Sequence, residues 1–180
     1  METVRVRPPT SSDIPQLARL DNSSTSDHVW QLELRRDVRG PQISATFREV
    51  RLPRPVTINY PNDPTSLADE WKRKAMICVA SAEKDVVGYL ALDLPRAGTA
   101  WITDLVVSPK WRRKGVATAL LEEAHKWSAQ RALNRVFFEM QSKNHPAIKL
   151  AQKQGYDFCG YNDQYYSNQD ITLIFVRTLR

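Results

Sequence analysis

Three consecutive cations, Arg112, Arg113 and Lys114, stand directly before Gly115 and the start of an apolar helical pattern. Cations at a helix N-terminus are unfavourable by about 0.3–1 kcal/mol each unless an anion lies there. The first amides of a helix lack acceptors, and a glycine lets the backbone approach a phosphate closely because it has no Cβ. The spacing therefore favours a pocket for a diphosphate over a solvated basic turn, with the small Ala117 keeping the next helical turn open.

The elements on either side must position this segment. A strand is predicted at 99–109, an amphipathic helix at 115–133 and a further strand at 135–141. These three elements predict a right-handed βαβ unit inside a mixed sheet. A second helix is predicted at 145–155, where a proline stands in the first turn and a glycine at the end.

The rest of the chain completes a mixed α/β domain. Strands are predicted at 3–8, 75–82, 86–94 and in the segments YDFCGY and DITLIFVRTL, with a short helix at 10–21 and a β-hairpin formed by 28–37 and 43–52. Four prolines in 53–66 predict a loop with at most an edge strand.

Composition bounds the class of protein. The length of 180 residues predicts one domain, 1–180, and an apolar content of 42% is ordinary for a globular protein. No apolar run approaches the roughly 20 residues that span a bilayer, and the first residues lack the apolar core of a signal peptide, so we expect a cytoplasmic protein. The net charge of +6 permits an anionic partner, but the cations are scattered, which weakens a nucleic-acid interpretation.

Cysteine and histidine give no sign of a metal site or a nucleophile. Cys78 and Cys159 lie in apolar, strand-like runs far apart in the sequence, so we expect buried free thiols. His28, His125 and His145 show no ligand spacing. His125 falls within the pattern of a helix, which favours a packing or surface role over catalysis.

The stretch DLVVSPKWRRKGVATALLEEA resembles the acetyl-CoA motif of the GNAT superfamily of N-acetyltransferases. That motif reads Arg/Gln-x-x-Gly-x-Gly/Ala, and here it is Arg112-x-x-Gly115-x-Ala117. Together with MQSKNHPAIKLAQKQGYDF downstream, the resemblance covers 75–180 well and 1–74 loosely. It implies the GNAT fold, a central and mostly antiparallel sheet flanked by helices and splayed at the two parallel strands that hold acetyl-CoA. Residues 75–180 would form the acetyl-CoA-binding core, and 1–74 the acceptor side.

The resemblance also implies the contacts of the cofactor. The backbone from Arg113 to Thr118 would supply amides to the pyrophosphate. Val106 and Val107 would pair through their backbone with the pantetheine arm, and Asn144 would contact the cofactor near the start of the following helix. The implied cofactor-binding residues are Val106, Val107, Arg112, Arg113, Lys114, Gly115, Val116, Ala117, Thr118 and Asn144.

Within the superfamily, the sequence resembles the streptothricin acetyltransferases. The segments DNSSTSDHVWQLELRRD, FREVRLPRPVTINYP and FFEMQSKNHPAIKLAQKQGYDFCGYNDQYY carry this likeness. Those enzymes acetylate an amine on the β-lysine part of a cationic antibiotic. The resemblance implies transfer of an acetyl group from acetyl-CoA to a primary amine of a small molecule, by direct attack in a ternary complex. Dimers are common in the superfamily, and the last strand is a place where two chains could pair.

An amine nucleophile must lose a proton, which a carboxylate can accept directly or through water. Asp104, in the cofactor strand, and Glu139, in the next strand, are the candidate catalytic bases or amine-binding groups. A backbone N–H near Val107 would donate to the developing oxyanion.

The family usually places a tyrosine, as the acid for the leaving thiolate, four residues before the glycine of GY. Here Ala151 occupies that position. The candidate replacements are Tyr165 and Tyr166, with Tyr161 before them. Each could instead be an aromatic residue that only packs in the core.

Four functions stay open at this point: acetylation of a small-molecule amine, acetylation of a protein, binding of an acyl-CoA without catalysis, and binding of a nucleic acid. Acids expected to attract a cationic amine at the acceptor region are Asp63, Asp69, Glu70, Asp163 and Asp170. Acetylation of protein lysines or N-termini predicts an open groove instead of a pocket. A non-catalytic acyl-CoA-binding module is compatible with the missing tyrosine. Nucleic-acid binding is suggested by the high pI alone.

Overall fold

The computed structural model describes residues 3–37, 40–62, 66–166 and 168–179, and within these ranges the chain forms nine strands and four α-helices. The strands are β1 (Val4–Arg7), β2 (Ser24–Arg36), β3 (Ile43–Ile58), β4 (Met76–Ala82), β5 (Asp85–Arg96), β6 (Thr99–Val107), β7 (Arg135–Gln141), β8 (Asp157–Asn162) and β9 (Thr172–Thr178). The helices are α1 (Ile14–Leu17), α2 (Ser66–Glu70), α3 (Val116–Ala129) and α4 (His145–Lys153).

One mixed sheet runs in the order β1-β4-β5-β6-β7-β9-β8, and β2 pairs with β3 as a separate hairpin. Among the described strands, β6 and β7 are parallel and every other neighbouring pair is antiparallel. The predicted fold class, a mostly antiparallel sheet flanked by helices, is confirmed.

The two parallel strands pair only at their first residues. The pairing joins 99–102 to 135–138 and then stops, although both strands continue. On its other side β6 carries a bulge at Thr103, where its register with β5 shifts. The edge of β6 over 103–107 that faces β7 is therefore left without a strand partner.

The sheet is covered on both faces. α3 and α4 pack on one face through residues such as Leu120 and Ile148, and α1 and α2 cover the other through Leu17 and Leu67. β5 is buried on both faces, with Leu90 in the first core and its neighbours along the strand in the second. This explains its nearly continuous apolar sequence.

The proline-rich segment that the sequence predicts to be a loop is partly strand. β3 continues to Ile58 through Pro53 and Pro55. The register with β2 shifts between Ser26 and His28, so the prolines lie in a bulge of a two-stranded ribbon. Proline is tolerated there because a bulge and an outer edge need no amide donor.

Several other expectations need correction. The helices predicted at 10–21 and 115–133 are shorter, and α2 was not predicted. Cys78 is buried and free as predicted, whereas Cys159 is exposed, because it lies on β8 at the edge of the sheet. No helix within the described ranges is long and apolar enough to span a membrane.

Candidate active site

A cleft of about 220 Å³ opens where β6 and β7 separate. Its walls come from both strands, from α3 and from the first turns of α4. Five of the predicted cofactor residues line it: Val106, Val107, Arg112, Ala117 and Asn144. The predicted splay therefore creates a cavity at the place where the sequence motif lies.

The N-terminus of α3 forms an open cradle of backbone amides. Gly115 has a φ of +83°, and a Cβ added to it would meet no atom within 4 Å. The first bond of the helix joins Ala119 N–H to the Gly115 carbonyl at 3.0 Å. The amides of Val116, Ala117 and Thr118 therefore have no acceptor inside the helix. This is the arrangement that binds phosphate at helix N-termini.

The three cations before the cradle differ in role. Arg112 Nε donates to the Val107 carbonyl at 2.9 Å, so this side chain fastens the turn to the end of β6. Arg113 and Lys114 are exposed at the rim. The Lys114 ammonium lies 4.9 Å from the centre of the Trp111 ring, which holds it near the turn.

The free edge of β6 presents alternate amides to the cleft. Ser108 N–H donates to the Val87 carbonyl of β5 at 2.9 Å. Because successive amides of a strand point to opposite edges, Val107 N–H faces the cleft, as does that of Leu105. The amide of Val106 faces β5, so its predicted backbone pairing with a ligand needs correction, although the residue lines the cleft.

Asn144 caps α4 at the other end of the cleft. Its side-chain oxygen accepts the Ala147 N–H at 3.3 Å, and Pro146 stands in the first turn. Because the oxygen is used by the helix, the amide nitrogen is the part of this side chain that can donate to a ligand.

A second cavity, of about 390 Å³, meets the cleft through shared lining residues. Thr103, Glu139 and Tyr165 line both, together with Asn62 of the segment that follows β3. A ligand in the cleft and a ligand in this second cavity would therefore meet beside Glu139. We call the second cavity the acceptor cavity.

Asp104 lies in the wall of the acceptor cavity and is only 8% exposed. Tyr60 donates its hydroxyl to Oδ1 at 2.5 Å, and Asn62 Nδ2 donates to the same oxygen at 3.1 Å. The Thr103 hydroxyl donates to Oδ2 at 2.9 Å. Burial, followed by the neighbouring Asp104 carboxylate, raises the pKa of Tyr60 well above its ordinary value. Three donors fix the orientation of this carboxylate.

Tyr60 and Asn62 were missed by the sequence analysis. They reach Asp104 only because β3 delivers the segment after it to the face of β6. The signal in the sequence was the turn-forming segment NYPN after a run of strand residues.

Glu139 lies at the junction of the two cavities. The Trp101 indole N–H donates to Oε2 and the Tyr165 hydroxyl to Oε1, both at 3.1 Å. Burial raises the pKa of Glu139 above its ordinary value, while the two hydrogen bonds act in the opposite direction. A carboxyl with a raised pKa beside a reaction space is suited to accept a proton.

The tyrosines after β8 divide into two roles. Tyr166 lines the cleft, and burial raises its pKa to about 12, so it keeps its proton at neutral pH. Tyr165 is 52% exposed and binds Glu139. Ala151 is fully buried in the core of α4, and Tyr161 packs edge-on against Phe47. Tyr166 is therefore the better placed of the candidate acids.

The acids expected at the acceptor region do not converge. Among the described residues, Glu70 lines the acceptor cavity, whereas Asp69 and Asp163 do not. Asp170 is buried in an ion pair with Lys143. Asp63 lies outside the described residues. The negative charge of the cavity comes instead from Glu70 together with the two strand carboxylates.

His125 packs inside the fold, as predicted. Its Nε2 lies 2.7 Å from the Tyr156 hydroxyl, and its Nδ1 lies 3.1 Å from the Arg177 guanidinium. Burial, followed by the charge of Arg177, lowers the pKa of His125 to about 4. It lines neither the cleft nor the acceptor cavity.

Comparison with known proteins agrees with this geometry. The pattern described as the Acetyltransferase (GNAT) family matches residues 44–156. A streptothricin acetyltransferase of Escherichia coli is 37% identical over 81 residues, which are 45% of this chain and 47% of the relative. The match thus spans about half the length of that relative.

Two solved structures share the fold along the whole chain. A nourseothricin acetyltransferase has a TM-score of 0.81 and 24% identity, with 98% of this chain and 99% of that chain covered. A structure from Bacillus anthracis str. Ames in complex with acetyl coenzyme A has a TM-score of 0.78 and 18% identity, with 99% of each chain covered. Since the family pattern covers more than half of the sequence and the fold agrees throughout, the chain belongs to the acetyltransferase (GNAT) family, as the motif at Arg112 predicts.

Proposed function

We propose that this protein is an acetyl-CoA-dependent N-acetyltransferase that acts on a primary amine of a small cationic molecule, with streptothricin as the first substrate to test. One observation carries the proposal. The cleft between β6 and β7 joins the amide cradle of α3 to a cavity walled by Asp104 and Glu139. The streptothricin and nourseothricin acetyltransferases among the similar proteins support the choice of substrate.

The residues of the cleft fit acetyl-CoA. The cradle is open where a Cβ at Gly115 would stand, and its amides suit a pyrophosphate. Leu105 offers its backbone at the free edge of β6 to the amides of a pantetheine arm, and Asn144 closes the far wall. Arg113 and Lys114 add positive charge at the rim. Acetyl-CoA, when bound, supplies an acetyl group activated as a thioester.

The side chains at the junction supply the proton transfers. Glu139 accepts the proton of the amine, because it borders both cavities and burial raises its pKa. Asp104 attracts the ammonium form with a carboxylate held in place by three donors. The Val107 N–H donates to the carbonyl oxygen under attack, and Tyr166 gives its proton to the departing sulfur.

The charge of the acceptor cavity favours cationic amines over amino acids. Its carboxylates are Glu70, Asp104 and Glu139. Lys74 also lines the cavity, but its ammonium binds Asp93 at 2.9 Å. A free amino acid would need an available cation for its carboxylate, whereas a polyamine-like antibiotic would not.

The segment that covers one side of the cavity favours a small molecule over a protein acceptor. The segment containing Tyr60 and Asn62 is bound to β6, and Asn62 also donates to the Thr103 carbonyl at 3.1 Å. This segment covers one side of the space that an open peptide groove would need.

The test is release of CoA from acetyl-CoA with purified protein and a panel of amines. The panel holds streptothricin, spermidine, an aminoglycoside, lysine and a basic peptide, with a reaction lacking amine as the background. We expect kcat/KM for streptothricin to exceed that for lysine at least tenfold. Preference for the peptide would favour a protein acetyltransferase. Tight binding of acetyl-CoA without transfer to any amine would favour a non-catalytic binding module.

A further inference from the structure

Two histidines from distant parts of the chain meet where the hairpin touches α4. His28 lies on β2 and His145 begins α4. Their rings stack with centres 4.6 Å apart and planes inclined by 22°. One ligand atom from each imidazole and a carboxylate oxygen of Asp27 lie within 4.8 Å of one another. The sequence could not show this cluster, because its members come from different elements.

We propose that Asp27, His28 and His145 form a binding site for a divalent transition metal of the zinc class. Two imidazoles and one carboxylate are ligands that Zn²⁺ and its neighbours accept, whereas Mg²⁺ and Ca²⁺ prefer an all-oxygen set. Tetrahedral Zn²⁺ binds such atoms at about 2.0–2.2 Å, so the ligand atoms must draw closer together than they now stand. Asp27 is 50% exposed and can turn inwards to allow this.

Carboxylates stand beside both imidazoles. His28 Nδ1 lies 2.8 Å from Asp27 Oδ1, and His145 Nε2 lies 3.1 Å from Glu49 Oε1. The His145 nitrogen is enclosed and makes no well-aligned hydrogen bond within the described residues. A rotation of the His145 ring that aligns Nε2–H with Glu49 would direct the other ring nitrogen at a metal. Glu49 is therefore suited to support His145 rather than to bind the metal itself.

The elements that carry the ligands are already tied together. The Trp30 N–H of β2 donates to the Ser142 carbonyl, just before α4, at 2.9 Å. Glu49 also binds Lys149 of α4 at 2.7 Å. A bulge at Asp27 places its carboxylate beside the next residue of the strand. The backbone segments that carry the ligands are therefore held together before any metal binds.

A metal here would clamp the hairpin to α4, next to Asn144 in the wall of the cleft. Because a metal that binds only the folded chain stabilises it, the melting temperature should rise with Zn²⁺ concentration. This proposal is independent of the proposed acyl transfer, and its test needs no substrate.

The experiment titrates ZnCl₂ into the full chain against a chromophoric chelator, with Cys159→Ser in every variant to remove the exposed thiol. We expect one equivalent to bind and the melting temperature to rise with Zn²⁺ concentration. His28→Gln and His145→Gln should each weaken binding at least tenfold. His125→Gln, which changes the remaining histidine of the chain, is the matched control and should bind as the parent does.

Circular dichroism shows whether each variant is folded. Absence of Zn²⁺ binding at millimolar concentration would overturn the proposal, as would binding that both cluster variants retain. If both variants fail to fold, the visible spectrum of Co²⁺ bound to the parent decides. Tetrahedral bands support the proposal, and a spectrum equal to that of free Co²⁺ overturns it.

Discussion

The hydroxyl of Tyr60 donates a hydrogen bond of 2.5 Å to Oδ1 of Asp104. This bond joins the segment after the hairpin to the strand that borders the cleft. Since the pKa of Tyr60 is raised well above its ordinary value, the hydroxyl stays a donor throughout the neutral range. The wall of the acceptor cavity and the carboxylate inside it are thus positioned by the same contact.

Replacing Tyr60 by Phe should weaken binding of the amine more than binding of acetyl-CoA, because the ring that lines the cleft is kept and only the hydroxyl bound to Asp104 is lost. The substitution removes one of three donors to Asp104 and loosens the segment that covers the cavity. We expect KM for the amine to rise about fivefold or more, consistent with roughly 1 kcal/mol for one hydrogen bond. Steady-state kinetics with each substrate varied in turn measures this. Equal changes in the two KM values would contradict the assigned place of Tyr60.

Gly115→Ala should weaken binding of acetyl-CoA. The new Cβ would project into the open cradle, and the left-handed φ of +83° is strained for alanine. Gly155→Ala is a matched control, because this glycine also has a positive φ of +74°, with nothing within 4 Å of an added Cβ. Both variants should lose similar stability, about 1–2 kcal/mol. Calorimetry should show at least tenfold weaker binding of acetyl-CoA to Gly115→Ala and unchanged binding to Gly155→Ala. Equal affinities of the two variants would contradict the assignment of the cradle to the cofactor site.

Glu139→Gln should abolish most activity without loss of stability. General-base catalysis contributes about 10²–10⁴-fold, so kcat should fall by at least a hundredfold. Burial raises the pKa of Glu139 in the folded state, so its contribution to stability is present below the unfolded pKa and is lost as pH rises through the folded pKa. The neutral glutamine avoids this loss, and its melting temperature at pH 7 should equal or exceed that of the parent. A clear drop in melting temperature at pH 7 would contradict this account of Glu139.

The two neighbouring tyrosines should respond differently to replacement by phenylalanine. Tyr166→Phe removes the proposed acid and should lower kcat about tenfold or more. Tyr165→Phe removes a hydrogen bond that favours the ionised form of Glu139, so the pKa of Glu139 should rise. The acidic limb of the kcat/KM profile should then move to higher pH. Profiles measured from pH 5 to 10 separate the two roles, and identical profiles would refute the distinction.

His125 should make the fold sensitive to acid. Burial lowers its pKa to about 4, below the ordinary value of 6.5. The unfolded chain therefore binds a proton between these values while the folded chain does not, and stability falls as pH decreases from 6.5 to 4. Urea unfolding of the parent and of His125→Gln at pH 7 and pH 5 measures the effect. The free energy of unfolding of the parent should fall by on the order of 1 kcal/mol more than that of the variant over this range. Equal decreases would contradict the lowered pKa of His125.

Local features of the sequence predicted the turn and the helix start that follow β6. The run from Arg112 to Ala117 is contiguous, so its turn and helix start follow from neighbouring residues alone. Hydrophobic periodicity likewise placed β6, α3 and β7, whereas the splay between β6 and β7 was implied only by the resemblance to the superfamily. Both depend on short-range conformational preferences, which sequence spacing records directly.

Contacts between distant segments were not predictable in this way. The partners of Asp104 come from the end of β3, and the histidine cluster joins β2 to α4. Which amides of β6 face the cleft depends on the register that the sheet imposes, so Val106 and Val107 could not be told apart beforehand. The bulge that accommodates Pro53 and Pro55 also appears only when the pairing of the hairpin is known.

The most direct test of the proposed activity is the mass of streptothricin after incubation with acetyl-CoA and the purified protein, with Glu139→Gln in parallel. We predict a singly acetylated antibiotic from the parent and at least a hundredfold less product from the variant. Unmodified antibiotic from a parent protein that demonstrably binds acetyl-CoA would contradict the proposed acceptor, and equal product from both proteins would contradict the role of Glu139.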